Sequence, residues 1–154
     1  MREGLRRAMA LYSVILGVAY IALGILEVMA GFFSLLGLNG ELIPGTEWVP
    51  IDLFGGGSAM VIGFTYVGAL SLWKGRDESI SYILVGSFLS AVFGGLYLLI
   101  LGADAVSLLL ASERLKLIGE IRPEIFLFLL SLPLGLKALR LIKAKNMKGS
   151  RSME

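Results

Sequence analysis

The sequence contains no cysteine and no histidine. This excludes disulfides, thiolate or imidazole metal ligands and histidine-ligated haem, and it removes the commonest general base. Glutamine is also absent, and asparagine occurs only at positions 39 and 146, a scarcity of thermolabile residues that is consistent with a thermophilic source. No remaining motif specifies a reaction, so the sequence predicts no enzymatic activity, no metal site and no cofactor.

Charge is also scarce, at 17% of the 154 residues, compared with about 25% in an ordinary soluble domain. Apolar residues make up 56%, and the mean hydropathy is +0.83. They are concentrated in four runs, at residues 8–38, 53–73, 80–103 and 123–142. Each run is close to or above the roughly 20 residues that cross a bilayer. The sequence therefore predicts an all-α integral membrane bundle of four transmembrane helices, forming a single membrane domain with a basic tail at 143–154.

Local signals at the ends of these runs support the same division. Asn39-Gly40 is a plausible stop for the first helix. Asp52 is placed to cap the second helix, and Pro123 with Glu124 is typical of a helix start. The leucine-rich, charged segment 105–120 predicts a short amphipathic helix on the membrane surface between spans three and four.

The basic residues are distributed unevenly between the two sides of the predicted membrane. Eleven of the 14 lysines and arginines fall at the N-terminus, between spans two and three, or at the C-terminal end. The remaining three fall between spans three and four. By the positive-inside rule, both termini should face the cytoplasm in a multi-pass protein of the cell membrane.

One face of the first run carries small and polar residues at helical spacing. They are Ala10, Ser13, Gly17, Tyr20, Gly24, Glu27, Gly31 and Ser34. Steps of three and four residues place them on one side of a helix, and small residues allow membrane helices to approach closely. This face is predicted to pack against other helices.

Two further runs carry similar seams of small residues. The seams are Gly55-Ala59-Gly63 in span two, and Gly86-Ser90-Gly94 with Ser87-Ala91-Gly95 beside it in span three. Two seams on one helix predict two neighbours. Span four is rich in leucine and phenylalanine and is expected at the periphery, with Pro133 near its middle.

Glu27 is the one carboxylate inside the first run. One interpretation is a structural acid that is hydrogen-bonded across the seam or reaches the outer surface. The other is a proton or cation site, because acids inside membranes are often functional. Its candidate partners are hydroxyl groups on the predicted helices: Tyr20, Thr65, Tyr66, Ser90 and Tyr97.

Lys137, Arg140 and Lys143 step by three along the end of span four. A basic stripe at the cytoplasmic surface is typical of contact with anionic lipid headgroups, and the same residues would also anchor the topology. No aromatic interleaving or fold signal accompanies these charges, so no nucleic-acid partner is predicted.

The first run also resembles a known family. The residues that carry the resemblance are Leu16-Gly17, Tyr20, Gly24 and Glu27, together with Gly56-Gly57 to Gly63 in span two. They resemble the first two helices of DoxX-like small four-span membrane proteins, in which a lysine stands at the place of Glu27. Some members of that family are associated with quinone-linked sulfur oxidation, so the resemblance implies a quinone-associated redox subunit.

Three hypotheses of function follow. The first is a small multi-pass membrane protein without enzymatic activity that forms a homo-oligomer or a subunit of a larger membrane complex, because its packing seams outnumber what a small bundle needs. The second is a small proton- or cation-coupled transporter or channel that uses Glu27. The third is the DoxX-like redox subunit.

Overall fold

The computed structural model describes residues 3–37, 52–110 and 122–151, and these residues are almost entirely helical. The four long helices are α1 (Glu3–Leu35), α2 (Leu53–Gly68), α3 (Ile80–Leu110) and α4 (Pro123–Arg151). Two 3-10 turns, Ala69–Leu72 and Asp77–Ser79, lie between α2 and α3. The prediction of an all-α protein with four long helices is confirmed, and the described ranges contain no strand.

Four segments are long and apolar enough to cross a membrane. They are Glu3–Leu35, Leu53–Leu72, Ile80–Ser107 and Pro123–Ala144. Their outward faces expose large apolar side chains, among them Phe54 at 86%, Leu99 at 72% and Phe88 at 68%. A continuous apolar exterior of this kind is unsuited to water and matches the hydrocarbon of a bilayer.

Each helix runs antiparallel to its neighbours, and the four form a closed ring. Helix α1 packs against α2 and α4, and α3 packs against the same two helices from the other side. The expectation that the fourth helix is peripheral is wrong, because Ser131, Leu134 and Ala138 bury one face of α4 in the core. The other faces of α4 point outward, which explains the leucine and phenylalanine that suggested the peripheral position.

The closest helix contact joins α1 and α2 through two pairs of glycines. A Cβ atom on Gly17 would lie 2.8 Å from the carbonyl oxygen of Gly63, and one on Gly24 would lie 2.5 Å from that of Gly56. Conversely, a Cβ atom on Gly63 would lie 2.7 Å from the carbonyl oxygen of Gly17, and one on Gly56 would lie 2.8 Å from that of Gly24. Because Cβ atoms essentially never come this close to a backbone oxygen, the contact requires glycine on both helices.

The other predicted packing residues lie in different interfaces. Gly31 and Ala59 are buried, and Gly31 packs beside Leu53. Gly55 faces the hydroxyl group of Tyr97 on α3, and Gly86 lies against the ring of Tyr66.

Only one of the two seams on α3 is buried. Gly94 packs against Phe128 of α4, and Ser90 is buried beside it. In the second seam Ser87 contacts Gly135, whereas Ala91 is exposed and a Cβ on Gly95 would meet nothing within 4 Å. The second seam therefore leaves a small-residue surface on the outside of the bundle.

The ends of α1 and α3 differ from the expected positions. Helix α1 ends at Leu35, and Gly37 has a φ of +71° with its N–H donated to the carbonyl of Ser34 at 3.1 Å. A left-handed residue after the last turn is a common helix stop that favours glycine. Gly37 thus takes the role expected of Asn39-Gly40, which lies outside the described residues.

Helix α3 continues through Gly102 to Leu110. The first six residues of the predicted surface helix, 105–110, therefore belong to α3, and residues 111–120 lie outside the described part of the chain. The predicted starts of α2 and α4 are confirmed. Asp52 accepts a hydrogen bond from the Gly55 N–H at 2.8 Å, and α4 begins at Pro123.

Replacing Gly24 with alanine should destabilise the protein by about 1–3 kcal/mol, because the added methyl group forces α1 and α2 apart. The matched control is Gly57→Ala, since a Cβ at Gly57 meets nothing within 4 Å. That control should be neutral or stabilising by up to about 1 kcal/mol, the helix-propensity difference between the two residues. Reversible unfolding in mixed micelles measures the change in stability that each substitution causes. Equal effects of the two substitutions would contradict the glycine contact.

Candidate functional site

Glu27 lies inside the bundle, where α1 meets α2. The residue is 0% exposed, and neither of its carboxyl oxygens has a hydrogen-bond partner among the described residues. A Cβ on Gly56 would lie 2.8 Å from the Cβ of Glu27. The bare backbone of Gly56 therefore leaves the space in which the glutamate side chain enters the core.

Glu124, in the first turn of α4, is the second buried carboxylate, and the sequence reasoning missed its role. It is 4% exposed, and both of its oxygens are buried without a hydrogen-bond partner within the described ranges. The side chains of Glu27 and Glu124 lie within interaction range of each other, although no hydrogen bond of good geometry joins them. Two carboxyl groups without partners in a low-dielectric interior form an energetically costly pair.

Glu124 was interpreted from the sequence as a favourable charge at a helix N-terminus. That interpretation uses only local sequence. A signal was nevertheless present, since in an antiparallel bundle the start of the fourth helix comes to the same level as the end of the first. The two glutamates were therefore candidates for one layer of the bundle.

An ion pair closes the same end of the bundle. The Arg122 Nη1 atom lies 2.8 Å from the Asp52 Oδ2 atom, and the two side chains are 30% and 26% exposed. The guanidinium group of Arg122 also lies 4.6 Å from the centroid of the Tyr97 ring, and the Tyr97 hydroxyl donates to Asp52 at 3.4 Å. The starts of α2 and α4 are thus tied to each other and to α3.

This ion pair shifts the titration of both of its members. Partial burial alone would raise the pKa of Asp52, but the Gly55 N–H and the Arg122 guanidinium outweigh burial and hold that pKa below its ordinary value. Burial alone would lower the pKa of Arg122, but the hydrogen bond to Asp52 outweighs it and raises that pKa. Asp52 and Arg122 therefore neutralise each other across the ordinary pH range.

The other predicted polar residues meet deeper in the bundle. The hydroxyl groups of Tyr20 and Ser90 are 2.6 Å apart, and that of Ser90 is 3.0 Å from Ser131. The rings of Tyr20 and Tyr66 stack with centroids 6.1 Å apart.

None of the hydroxyl partners expected for Glu27 is hydrogen-bonded to it. Tyr66 donates to Ser87 at 3.1 Å, and Thr65 donates to the carbonyl of Val61 in its own helix. The Tyr97 hydroxyl donates to Asp52, and the Tyr20 hydroxyl is hydrogen-bonded to Ser90. The structure thus places Tyr20, Tyr66 and Ser90 in one polar layer and Tyr97 in another, with Thr65 in neither.

A small cavity with a volume of about 10 Å³ lies between these two layers. Its polar lining consists of Tyr20, Ser58, Ser90, Tyr97 and Glu124. A volume of roughly 10–15 Å³ is the lower limit for one water molecule, so the cavity has room for one small species. Among the described residues no three side chains of aspartate, glutamate, histidine or cysteine converge as a metal site would require.

The predicted basic stripe lies at the opposite end of the bundle from the two glutamates. Lys137, Arg140 and Lys143 are exposed on the later turns of α4. Both ends of α4 thus carry charged groups, and Glu124 at its start lies within interaction range of Glu27.

Comparison with known proteins identifies a family. The family model described as "MJ0565 integral membrane domain" matches residues 3–141. The chain is 29% identical over 115 residues to "Uncharacterized protein MJ0565" of Methanocaldococcus jannaschii, an overlap that covers 72% of this chain and 74% of that protein. No solved structure matches the chain.

The resemblance to DoxX-like proteins is therefore wrong, and the quinone-linked role that it implied loses its support. Gly17 and Gly24, which carried the resemblance, are required by the contact of α1 with α2. A pattern imposed by close helix packing recurs in unrelated membrane proteins.

Substitutions of Asp52 should separate its capping role from its charge. Asp52→Ala removes both and should cost roughly 0.5–3 kcal/mol, of which the cap contributes about 0.5–2 and the partly exposed ion pair about 0–1. Asp52→Asn keeps a capping oxygen and should cost only the ion-pair part. Unfolding in mixed micelles provides the measurement, and equal losses in the two variants would contradict this division.

The pH dependence of the same ion pair has a definite sign. Because the folded pKa of Asp52 is lowered, its stabilising contribution is complete above the ordinary aspartate pKa of about 3.9. It is lost as the pH falls through the lower folded value. The stability difference between the natural protein and Asp52→Asn should therefore shrink on acidification.

Proposed function

The chain belongs to the MJ0565 integral membrane domain family, and from that premise we propose that it binds and moves a small monovalent cation, a proton or an alkali-metal ion, at Glu27 and Glu124. In this proposal the protein acts as a transporter or channel and catalyses no reaction.

The observation that supports this proposal is a surplus of buried negative charge. Asp52 is matched by Arg122, whereas Glu27 and Glu124 are both buried and without a hydrogen-bond partner in the described part of the chain. Leaving an isolated ionised carboxylate in a low-dielectric site costs several kcal/mol. The pair is therefore stable only when protons or cations neutralise it, and such a site binds and releases positive charge.

Access to the pair is proposed from the end of the bundle that carries the ion pair. Asp52 and Arg122 are partly exposed there, and the Glu27 carboxyl group lies within electrostatic range of both. On the inner side, stacked Tyr20 and Tyr66 fill the core. The ion would enter past Arg122, and its passage inward would require these aromatic side chains to move.

We further propose that this end faces outward and that both termini face the cytoplasm. The support is the distribution of the basic residues, eleven of which belong to the opposite side. In this orientation Lys137, Arg140 and Lys143 would contact anionic lipid headgroups of the cytoplasmic leaflet.

Reconstitution into proteoliposomes tests the proposed transport. Under an imposed ion gradient, the natural protein should conduct protons or sodium ions above the protein-free background, and Glu27→Gln should lower the flux to that background, because it removes the charge that attracts the ion. The control is Glu78→Gln, which changes an exposed glutamate outside the four candidate spans and should leave the flux unchanged. Unaltered flux in Glu27→Gln, or no flux in the natural protein, would refute the proposal.

Self-association is a second candidate function, as a homo-oligomer or within a larger membrane assembly. Gly95 and Gly102 on α3 are seven residues apart, and a Cβ on either would meet nothing within 4 Å. The glycines of the α1–α2 contact have the same spacing, Gly17 with Gly24 and Gly56 with Gly63. A glycine pair of this spacing with open space beside it is suited to a helix of a second subunit.

Native mass spectrometry from mild detergent should then give a mass above that of one chain. Gly95→Leu should shift the population towards the monomer, because the larger side chain obstructs close approach of the second helix. Gly57→Leu, at another open glycine, serves as the control and should retain the assembly. A single-chain mass for the natural protein, without a co-purifying partner, would rule out this candidate.

A further inference from the structure

A groove with a volume of about 470 Å³ lies on the outside of the bundle between α3 and α4. Small residues form part of its lining, among them Ala91 on α3 and Gly135 on α4. Large exposed apolar side chains form the rest, such as Phe88 on α3 and Leu136 on α4. The volume is within the range of roughly 300–1,000 Å³ that is typical of ligand-binding clefts.

The only two hydroxyl groups of this lining, on Ser87 and Ser131, are engaged inside the bundle. Ser131 donates to the carbonyl oxygen of Phe128 at 2.7 Å, and Ser87 accepts from the hydroxyl group of Tyr66 at 3.1 Å. The other side chains of the lining are apolar. The groove is therefore suited to an apolar occupant, which in a bilayer is a hydrocarbon chain of a lipid or a helix of another protein.

The length of the groove corresponds to one leaflet of a bilayer. Its lining on α4 extends from Ser131 to Leu139, which is about 12 Å at 1.5 Å per residue. The hydrocarbon of one leaflet is about 15 Å thick, half of the bilayer core. Because α3 and α4 are antiparallel and Ser87 packs against Gly135, the start of α3 is level with the last turns of α4. The groove thus extends towards the end of the bundle that carries the basic stripe.

Two members of that stripe continue the groove-lining face of α4. Arg140 and Lys143 follow the lining residues Leu136 and Leu139 by four positions each, and this spacing places side chains on the same face of a helix. Both basic residues are exposed. Lys137 precedes Leu139 by two positions, about 200° around the helix, and so lies on the far side of α4. Positive charge is therefore located one turn beyond the groove.

Charge distinguishes between the two kinds of occupant. Residues 74–79 and 140–143, which meet at this level, include four basic residues and two acids: Lys74, Arg76, Arg140 and Lys143 against Asp77 and Glu78. A second copy in the same membrane orientation would bring an identical basic end to this level, and like charges repel. An anionic lipid supplies both a hydrocarbon chain for the groove and a negative headgroup for the basic residues.

We propose that this groove binds one anionic membrane lipid, with a hydrocarbon chain along the lining and the headgroup held by Arg140 and Lys143. The inference narrows the headgroup contact proposed above from three basic residues to two and adds a site for the chain. It does not depend on transport, because lipid binding is measured without any ion gradient. Presence or absence of flux in proteoliposomes therefore leaves this test unaffected.

Native mass spectrometry of the full-length protein from mixed micelles provides the test. The protein is titrated with phosphatidylglycerol, which is anionic, and with zwitterionic phosphatidylcholine that has the same acyl chains. Phosphatidylglycerol should form a one-lipid complex with half-occupancy at a concentration at least about fivefold lower, the effect of one basic residue on an anionic headgroup. Equal half-occupancy concentrations of the two lipids would overturn the inference.

Two variants that each remove one positive charge from α4 test the headgroup contact. Lys143→Gln should raise the phosphatidylglycerol concentration for half-occupancy about fivefold. Lys137→Gln is the matched control and should change it by less than about twofold, because this exposed charge is on the far side of the helix and is screened by salt. Equal effects of the two substitutions would overturn the inference.

A second matched pair tests the groove itself. Ala91→Leu fills the groove from an exposed lining position and should raise the half-occupancy concentration at least about fivefold, because the larger side chain takes the space of the hydrocarbon chain. Ala103→Leu, at an exposed position of α3 outside the lining, should leave binding unchanged. If Ala91→Leu leaves lipid binding unchanged but converts a dimer into monomers, a second copy occupies the groove and the inference is overturned.

Discussion

The reciprocal glycine contact between α1 and α2 is the constraint on which the rest of the bundle depends. In a bilayer, burial of leucine does not drive helix association, because the lipid is equally apolar. Close backbone approach gains dispersion contacts and short contacts between Cα–H groups and carbonyl oxygens. Gly17 with Gly63 and Gly24 with Gly56 supply this approach at two successive levels. The two helices are thereby held in one register.

That register also determines the position of the carboxylate. Because α2 has no side chain at Gly56, the Cβ of Glu27 lies against the backbone of α2. The side chain is directed into the core, where Glu124 of α4 meets it. The same contact that stabilises the fold therefore creates the destabilising feature on which the proposed function rests. Under the proposed function, neutralisation of the glutamates by a proton or a bound cation would relieve a cost of several kcal/mol, more than a single helix cap contributes.

The sequence predicted the helices and the inward face of α1 because membrane length and helical periodicity are local properties. Seven of the eight residues in the stripe on α1 are buried. The sequence could not specify which helices contact each other. The seam on α2 was assigned to Gly55, Ala59 and Gly63, but the contact with α1 uses Gly56, since a run of three glycines does not reveal which one faces a given neighbour.

Glu124 was missed for a related reason, since its local role at a helix start concealed its position opposite Glu27. The cavity was also beyond prediction, because its lining comes from residues on all four helices. The DoxX-like resemblance was wrong for the opposite reason, because a local pattern was given too much functional meaning. Glycine spacing in α1 reflects a packing requirement, and packing requirements are shared by families with different functions.

The proposed function requires Glu27 and Glu124 to act as one site, and a double-mutant cycle measures this directly. Unfolding free energies are determined in mixed micelles for the natural protein, Glu27→Gln, Glu124→Gln and the double variant. If the two carboxylates share one site, the effects should be non-additive by at least about 0.5 kcal/mol, as for residues in contact. Additivity within about 0.3 kcal/mol, as for independent positions, would show that the glutamates do not form a pair and would contradict the account.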